Sequence, residues 1–272
     1  MNIMFWNTQG ARSAEFRRQF RNFVRSNNPQ MVALFEPRVS YGEADRVIQS
    51  FGYPNSFRVE ARGFSGGVWL LWRDGVDVTI LSVSNQFVHG KAREVSSKHW
   101  IYFTAVYASP NACVRRYLWD ILNRLSLGVE VPWVLGGDFN AILRKEERCG
   151  GSSEALGTSS LFQKFIDSTE LTEIDYKGDD FTWCRGNLYQ RLDRCLANSA
   201  WLVDYPMSIV VHLDRVGSDH CPLLLKPNGV LVPNLEWHFR FLAAWQDHPD
   251  FRALLESSWD DSSSVVVNAQ NF

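Results

Sequence analysis

Apolar residues fall in short blocks separated by glycine, proline and polar residues, and most blocks are of strand length. Residues 2–7 (NIMFWN) predict a first strand ending in an amide, with a break at Gly10. Ser13 caps a helix that carries Phe16, Phe20, Phe23 and Val24 at helical spacing, and Pro29 ends it. Met31 to Phe35 predict a second strand that ends at Glu36, and residues 42–51 a short amphipathic helix closed by Gly52. From about residue 55 the pattern turns to strands: Val68 to Trp72, then Val76 to Leu81, Phe87 to Val95, and Trp100 to Tyr107. Residues 111–127 predict a helix with Val114, Leu118, Ile121, Leu122 and Leu125 on one face.

The stretch from Pro132 to Asn140 (PWVLGGDFN) organises the rest. Trp133 to Leu135 predict a buried strand, and Gly136 and Gly137 let the backbone leave it. An extended backbone then points Asp138 and Asn140 to one side and Phe139 to the core. A carboxylate and an amide at the end of a core strand suit a water or a phosphate oxygen; a self-bonded β-turn is the plainer alternative. Beyond it lie a Gly/Ser-rich loop at 149–158, a helix at 159–170, and strands at 181–183, 191–196, 207–213 and 223–225. Segment 226–235 reads as a linker, 236–259 as a fresh helical pattern, and the polar last dozen residues are expected to be disordered. The expected organisation is a domain over 1–226, a linker and helical segment over 227–259, and a tail over 260–272.

Composition narrows the class. The 272 residues are 45% apolar and 21% charged, as in an ordinary globular protein. The net charge of −2 gives no support to broad, non-specific nucleic-acid binding. Arg12, Arg17, Arg18, Arg21 and Arg25 of the first helix are either a solvated face or a local basic patch. Five scattered cysteines without a CxxC pair argue against zinc and for a reducing compartment. Secretory and membrane-spanning patterns are missing, so a nuclear or cytoplasmic protein is expected, with no membrane partner.

Polar groups suited to chemistry close one apolar strand after another: Asn7, Glu36, Tyr107, Asp138 with Asn140, and Ser218-Asp219-His220. Asp193 joins them from the RLDR strand, where salt bridges to Arg191 and Arg194 are the plainer reading. Repetition of that placement predicts one rim of a sheet assembly that collects them. Asp219 and His220 are neighbours whose side chains diverge in a strand, so the acid that orients the imidazole can be a different one. No GxSxG elbow, Walker loop or GxGxxG accompanies them. Hard oxygen ligands without Cys or His clusters favour magnesium, with manganese as the alternative. One metal, a carboxylate that activates water and a His that binds phosphate amount to phosphodiester hydrolysis.

The ordered set Trp6-Asn7, Glu36 to Arg38, Val106 to Pro110 (VYASP), Gly137 to Asn140 (GDFN), Phe181 to Trp183 (FTW), Arg191 to Arg194 (RLDR) and Ser218 to His220 (SDH) resembles the endonuclease/exonuclease/phosphatase superfamily over about residues 1–226. FTW, RLD and Phe239 to Phe251 are similar to the endonuclease domain of plant non-LTR (LINE-type) retrotransposons, in which the last segment precedes a reverse transcriptase. The resemblance implies an α/β fold, a four-layer α/β sandwich of two packed mixed sheets flanked by helices. It implies a Mg-dependent DNA endonuclease, a monomer, that nicks one strand. The roles it implies are metal binding by Glu36, Asn7 and Asp219, and water activation by Asp138. Asn140 and His220 would hold the phosphate, with Asp219 orienting His220 or the metal and Tyr107 at the phosphate or leaving group. Thr182, Asp193 and Ser218 would support the substrate and the site. Arg38 departs from the family, which often has Lys there. A phosphatase, an abasic-site nuclease and an inactive retroelement remnant are the alternatives.

Overall fold

The computed structural model describes residues 1–60, 66–151, 159–229 and 251–258. The chain opens with β1 (Ile3–Asn7), α1 (Ala14–Asn27), β2 (Met31–Phe35) and α2 (Tyr41–Gln49). A run of strands follows: β3 (Asn55–Val59), β4 (Val68–Trp72), β5 (Val76–Ser84), β6 (Phe87–Glu94) and β7 (Ile101–Tyr107). Next come α3 (Ala112–Ser126), β8 (Trp133–Asp138), β9 (Arg148–Cys149) and α4 (Ser160–Thr169). Four short strands lead onward, β10 (Thr172–Glu173), β11 (Tyr176–Lys177), β12 (Trp183–Arg185) and β13 (Leu188–Gln190). Then come β14 (Asp193–Ala197), α5 (Ser199–Asp204), β15 (Ile209–His212), β16 (Leu223–Lys226) and α6 (Phe251–Ser258).

The chain divides into two units, Met1–Gly229 and Val230–Phe272. In the second unit the description is confined to α6, so the expected linker, the helical pattern at 236–250 and the tail at 260–272 lie outside the described residues. The same holds for most of the Gly/Ser-rich loop, from residue 152 to 158. Among the described residues no helix is long and apolar enough to cross a membrane.

The first unit is built on two mixed sheets. One runs β11-β15-β16-β1-β2-β4-β3 and the other β10-β14-β8-β7-β6-β5. Strand alternation explains the layers. Ile3, Phe5, Met31, Ala33 and Phe35 face Phe103, Ala105, Val134 and Cys195 in a core between the sheets. The other faces of β1 and β2, with Met4, Trp6, Val32 and Leu34, are covered by Phe16 and Phe20 of α1 and Val47 and Ile48 of α2. Leu118, Trp119 and Leu122 of α3 and Phe162 and Phe165 of α4 cover Leu135 and Leu196 on the second sheet. The result is the expected four-layer sandwich. Its helices start where their caps say. Ser13 Oγ accepts from Phe16 N at 3.0 Å, and Asn28 ends α1 with φ 44° and its N–H on Val24 O.

Gly136 and Gly137 do not release the chain from its strand, as the sequence suggested. Both lie inside β8, paired with Cys195 and Arg194 of β14. The reason for glycine is crowding by the facing sheet and by the adjacent strand β7. A Cβ on Gly136 would stand 2.4 Å from the Phe5 ring, and one on Gly137 2.1 Å from Val106 O and 2.7 Å from the Phe35 ring. Gly137 also has φ 135°, which a side chain resists.

Candidate active site

Topology gathers the strand ends. β1 and β2 run parallel in one sheet, as do β7 and β8 in the other, with Tyr107 registered against Asp138. Asn7, Tyr107 and Asp138 end their strands, and Glu36 follows β2 directly. Antiparallel β14 starts at this rim, with Asp193 opposite Asp138. The segment 218–220 arrives just before β16, the antiparallel neighbour of β1. Trp6 Nε1 donates to His220 O at 3.3 Å and Ser218 Oγ to Asn7 O at 2.7 Å. Ser218 Oγ also accepts from His220 N at 3.1 Å. Ser218 is therefore a backbone support, tying the SDH segment to the end of β1.

Asp138 is fully buried and held from three sides. Asn7 Nδ2 donates to Oδ2 at 2.9 Å, Asn140 N to Oδ1 at 2.8 Å and Asn140 Nδ2 to Oδ2 at 2.8 Å. Asn140 is not an extension of the strand: its φ is 46°, a conformation Asn tolerates better than most residues, and its amide also donates to Ala108 O at 2.9 Å. Phe139 turns into the aromatic layer beneath, against Trp119 and Phe162.

His220 Nδ1 lies 2.8 Å from Asp193 Oδ2, with both groups buried. The acid that orients the imidazole is thus Asp193, from a different strand. Asp193 is fixed in turn by Thr182, whose Oγ1 accepts from Leu192 N at 3.0 Å and Asp193 N at 2.9 Å. Arg191 and Arg194 do not pair with Asp193. They pair with Glu147 at 2.7 and 2.8 Å and with Glu173 at 3.1 and 3.4 Å, on the other side of β14. Glu147 sits in the unremarkable sequence KEER and gives no signal of burial.

The other ring nitrogen, His220 Nε2, faces Asp138 Oδ2 at 3.9 Å and Asp219 Oδ1 at 4.0 Å. Asp219 Oδ2 accepts from Trp183 Nε1 at 3.0 Å and from Arg185 at 3.4 Å. Across the rim, Tyr107 donates to Glu36 Oε1 at 2.5 Å, and Arg38 to Glu36 Oε2 at 2.8 Å. Glu36 itself takes φ 47°. The structure therefore brings two hydrogen-bonded groups, Asn7–Asp138–Asn140 and Asp193–His220, face to face with 3.9 Å between Asp138 Oδ2 and His220 Nε2, and sets Asp219 Oδ1 4.0 Å from the same nitrogen. Glu36 and Tyr107 stand beside them as a pair, and Thr182 and Ser218 lie beneath them as supports.

Burial pushes the Asp138 carboxyl up to about 7, against the pull of the His220 charge and the donors on it. Burial alone would lower His220, but Asp193, then Asp138, outweigh it and hold the imidazole at about 9. A carboxylate near neutrality next to a persistent imidazolium can take a proton from water and steady a developing negative charge.

Asp138, Asp193 and His220 also place one ligand atom each within 4.8 Å of one another, all buried. With Glu36 and Asp219 the oxygen donors suit a hard divalent ion. Asp219 Oδ1 adds to that fit, being buried without a hydrogen-bond partner among the described residues.

Residues 4–220 match the family described as Endonuclease/Exonuclease/phosphatase. The chain belongs to that family. Among curated proteins nothing matches. Solved members of the Endonuclease/Exonuclease/phosphatase fold share the architecture at low identity. The endonuclease domain of TRAS1, a telomere-specific non-LTR retrotransposon, is 16% identical with TM-score 0.61, over 82% of this chain and 96% of that one. An AP endonuclease of Leishmania major is 17% identical with TM-score 0.63, over 82% and 86%. The 3′-5′ exonuclease NExo of Neisseria meningitidis is 18% identical with TM-score 0.61, over 83% and 99%.

Proposed function

We propose that the chain is a magnesium-dependent phosphodiester hydrolase that nicks one strand of DNA, of the kind carried by plant non-LTR retrotransposons, and acts as a monomer. The observation that supports this most is the Asp193–His220 pair at 2.8 Å with Asp138 across the ring, all buried at a rim that family membership ties to phosphoester chemistry. Asp138, gripped by Asn7 and Asn140, accepts the proton of the attacking water. His220, kept cationic by Asp193, holds the scissile phosphate and its growing charge, while Asn140, whose two amide hydrogens go to Asp138 and Ala108 O, keeps Asp138 in place. Tyr107 holds the Glu36 carboxylate in place. Glu36 and Asp219 would hold the divalent ion, which when bound supplies Lewis-acid stabilisation of the phosphate. A Neisseria 3′ phosphatase of similar fold has been solved with product DNA, in keeping with DNA as the partner.

The test is conversion of supercoiled plasmid to open circles with magnesium and with EDTA, beside Asp138→Asn. Magnesium-dependent nicking lost in the variant supports the reading. A folded protein that leaves plasmid intact but releases phosphate from small phosphoesters would replace it with a phosphatase.

A further inference from the structure

The hairpin β12–β13 is bonded along the SDH segment. Trp183 and His220 form an antiparallel bridge, Cys184 N donates to Asp219 O at 3.0 Å and Cys221 N to Thr182 O at 2.7 Å. At the hairpin's base Arg215 donates to Phe181 O at 2.8 Å. This backbone pairing leaves the Asp219 side chain free to choose a rotamer, and the hairpin's own side chains make the choice. Trp183 Nε1 holds Oδ2 at 3.0 Å. Arg185 reaches the same oxygen at 3.4 Å from a side chain that is 70% exposed, with its guanidinium 5.7 Å above the Trp183 ring.

The other oxygen of Asp219 shows what this grip costs. Oδ1 is buried, has no hydrogen-bond partner among the described residues, and stands 4.0 Å from His220 Nε2. An acceptor left in that state is unfavourable, so a freely rotating Asp219 would turn it toward water. An indole N–H only donates, and its direction is set by a rigid ring. The exposed Arg185 can be drawn off by any anion; the Trp183 bond is the durable half of the grip.

We propose that Trp183 is a positioning residue: its indole N–H fixes Asp219 Oδ2 and so leaves Oδ1 as the unpaired oxygen offered to a divalent cation. This rests on the hydrolase reading above for the use of the cation, and on the hairpin geometry for the role of Trp183. Removing partners that orient metal-binding side chains typically weakens metal affinity by about 10- to 100-fold.

The experiment is Mn2+ binding to the full chain without DNA, followed by calorimetry, for wild type, Trp183→Phe and Trp183→Gln. Phe keeps a ring and loses the donor; Gln loses the ring and keeps an N–H. Trp183→Phe is expected to bind Mn2+ at least about ten-fold more weakly with an unchanged melting temperature, and Trp183→Gln to recover part of the loss. In nicking assays the Phe variant should need more metal for half-maximal rate while its rate at saturating metal approaches wild type. Trp183→Phe with wild-type Mn2+ affinity would overturn the proposal, as would a Gln variant weaker than Phe, or a wild type that binds no Mn2+. If Trp183→Phe does not fold, the Gln variant decides alone: affinity near wild type supports the bond, and a full loss removes it. A wild type that binds Mn2+ tightly but leaves plasmid intact sinks the endonuclease reading and leaves the role of Trp183 standing.

Discussion

At Asp193 the sequence offers two arginines as partners and the structure chooses a histidine. For Arg194 the choice follows from strand alternation: it points to the far face of β14, where Glu147 and Glu173 meet it, and Asp193 points to the near face, where His220 waits. Arg191 precedes β14 and is held by the same two glutamates. The Asp193 charge is a main reason the imidazole stays protonated up to about 9. If the proposed roles hold, the rate rises as Asp138 loses its proton through about 7 and falls as His220 loses its own through about 9. A pH profile of kcat/KM for nicking should show those two limbs. Asp193→Asn should lower the rate by about 10²-fold or more and move the alkaline limb to lower pH. A variant whose alkaline limb stays in place would detach Asp193 from His220.

Among elements, β14 depends on a cluster that no single residue advertised. Arg194, entirely buried, donates to Glu147 at 2.8 Å, to Arg191 O at 2.9 Å and to Ala141 O at 3.3 Å. It thereby ties the chain just after Asn140 to the strand that presents Asp193. Glu147 completes the tie by accepting from Leu143 N at 2.8 Å. Burial would raise the Glu147 carboxyl, but Arg194 above all, with Leu143 N and Arg191, holds it at about 2. Its folded value lies below the ordinary 4.5, so its contribution is complete above about 4.5 and is lost as pH falls toward 2. The contribution is on the order of 3 kcal/mol. Glu147→Gln should cost about 3–5 kcal/mol in urea unfolding at pH 7, and the gap to wild type should narrow between pH 4.5 and pH 2. A constant gap would assign the stability to packing. Apolar periodicity showed β14, and Asp193 stood out as a carboxylate among the apolar residues of that strand, because both signals are local. Glu147 and the β12–β13 hairpin were hidden, because a surface-like charge and a three-residue strand reveal their partners only in the folded chain.

At the scale of the whole molecule, the strand-end pattern made the rim legible before any coordinates: Asn7, Tyr107 and Asp138 each close a buried strand, and the sheets deliver them to one edge. Which sheet each strand joins was not legible, since pairings such as β1 with β16 span almost the whole first unit. That pairing governs where the chain can be cut. β16 lies between β15 and β1, with Leu223, Leu224 and Leu225 fully buried, and Gly229 N donates to Met207 O at 3.0 Å just beyond it. A chain ending at Gly229 keeps every strand of both sheets. It is expected to unfold in one cooperative transition by near-UV circular dichroism and to retain nicking. A chain ending at Cys221 lacks β16, exposes β1 along its open edge and uncovers the hydrophobic rows on both faces of the sheet. It should fail to show a cooperative transition. Equal stability of the two truncations would mean that β16 is dispensable, and loss of folding in the Gly229 truncation would mean that the first unit needs residues beyond it.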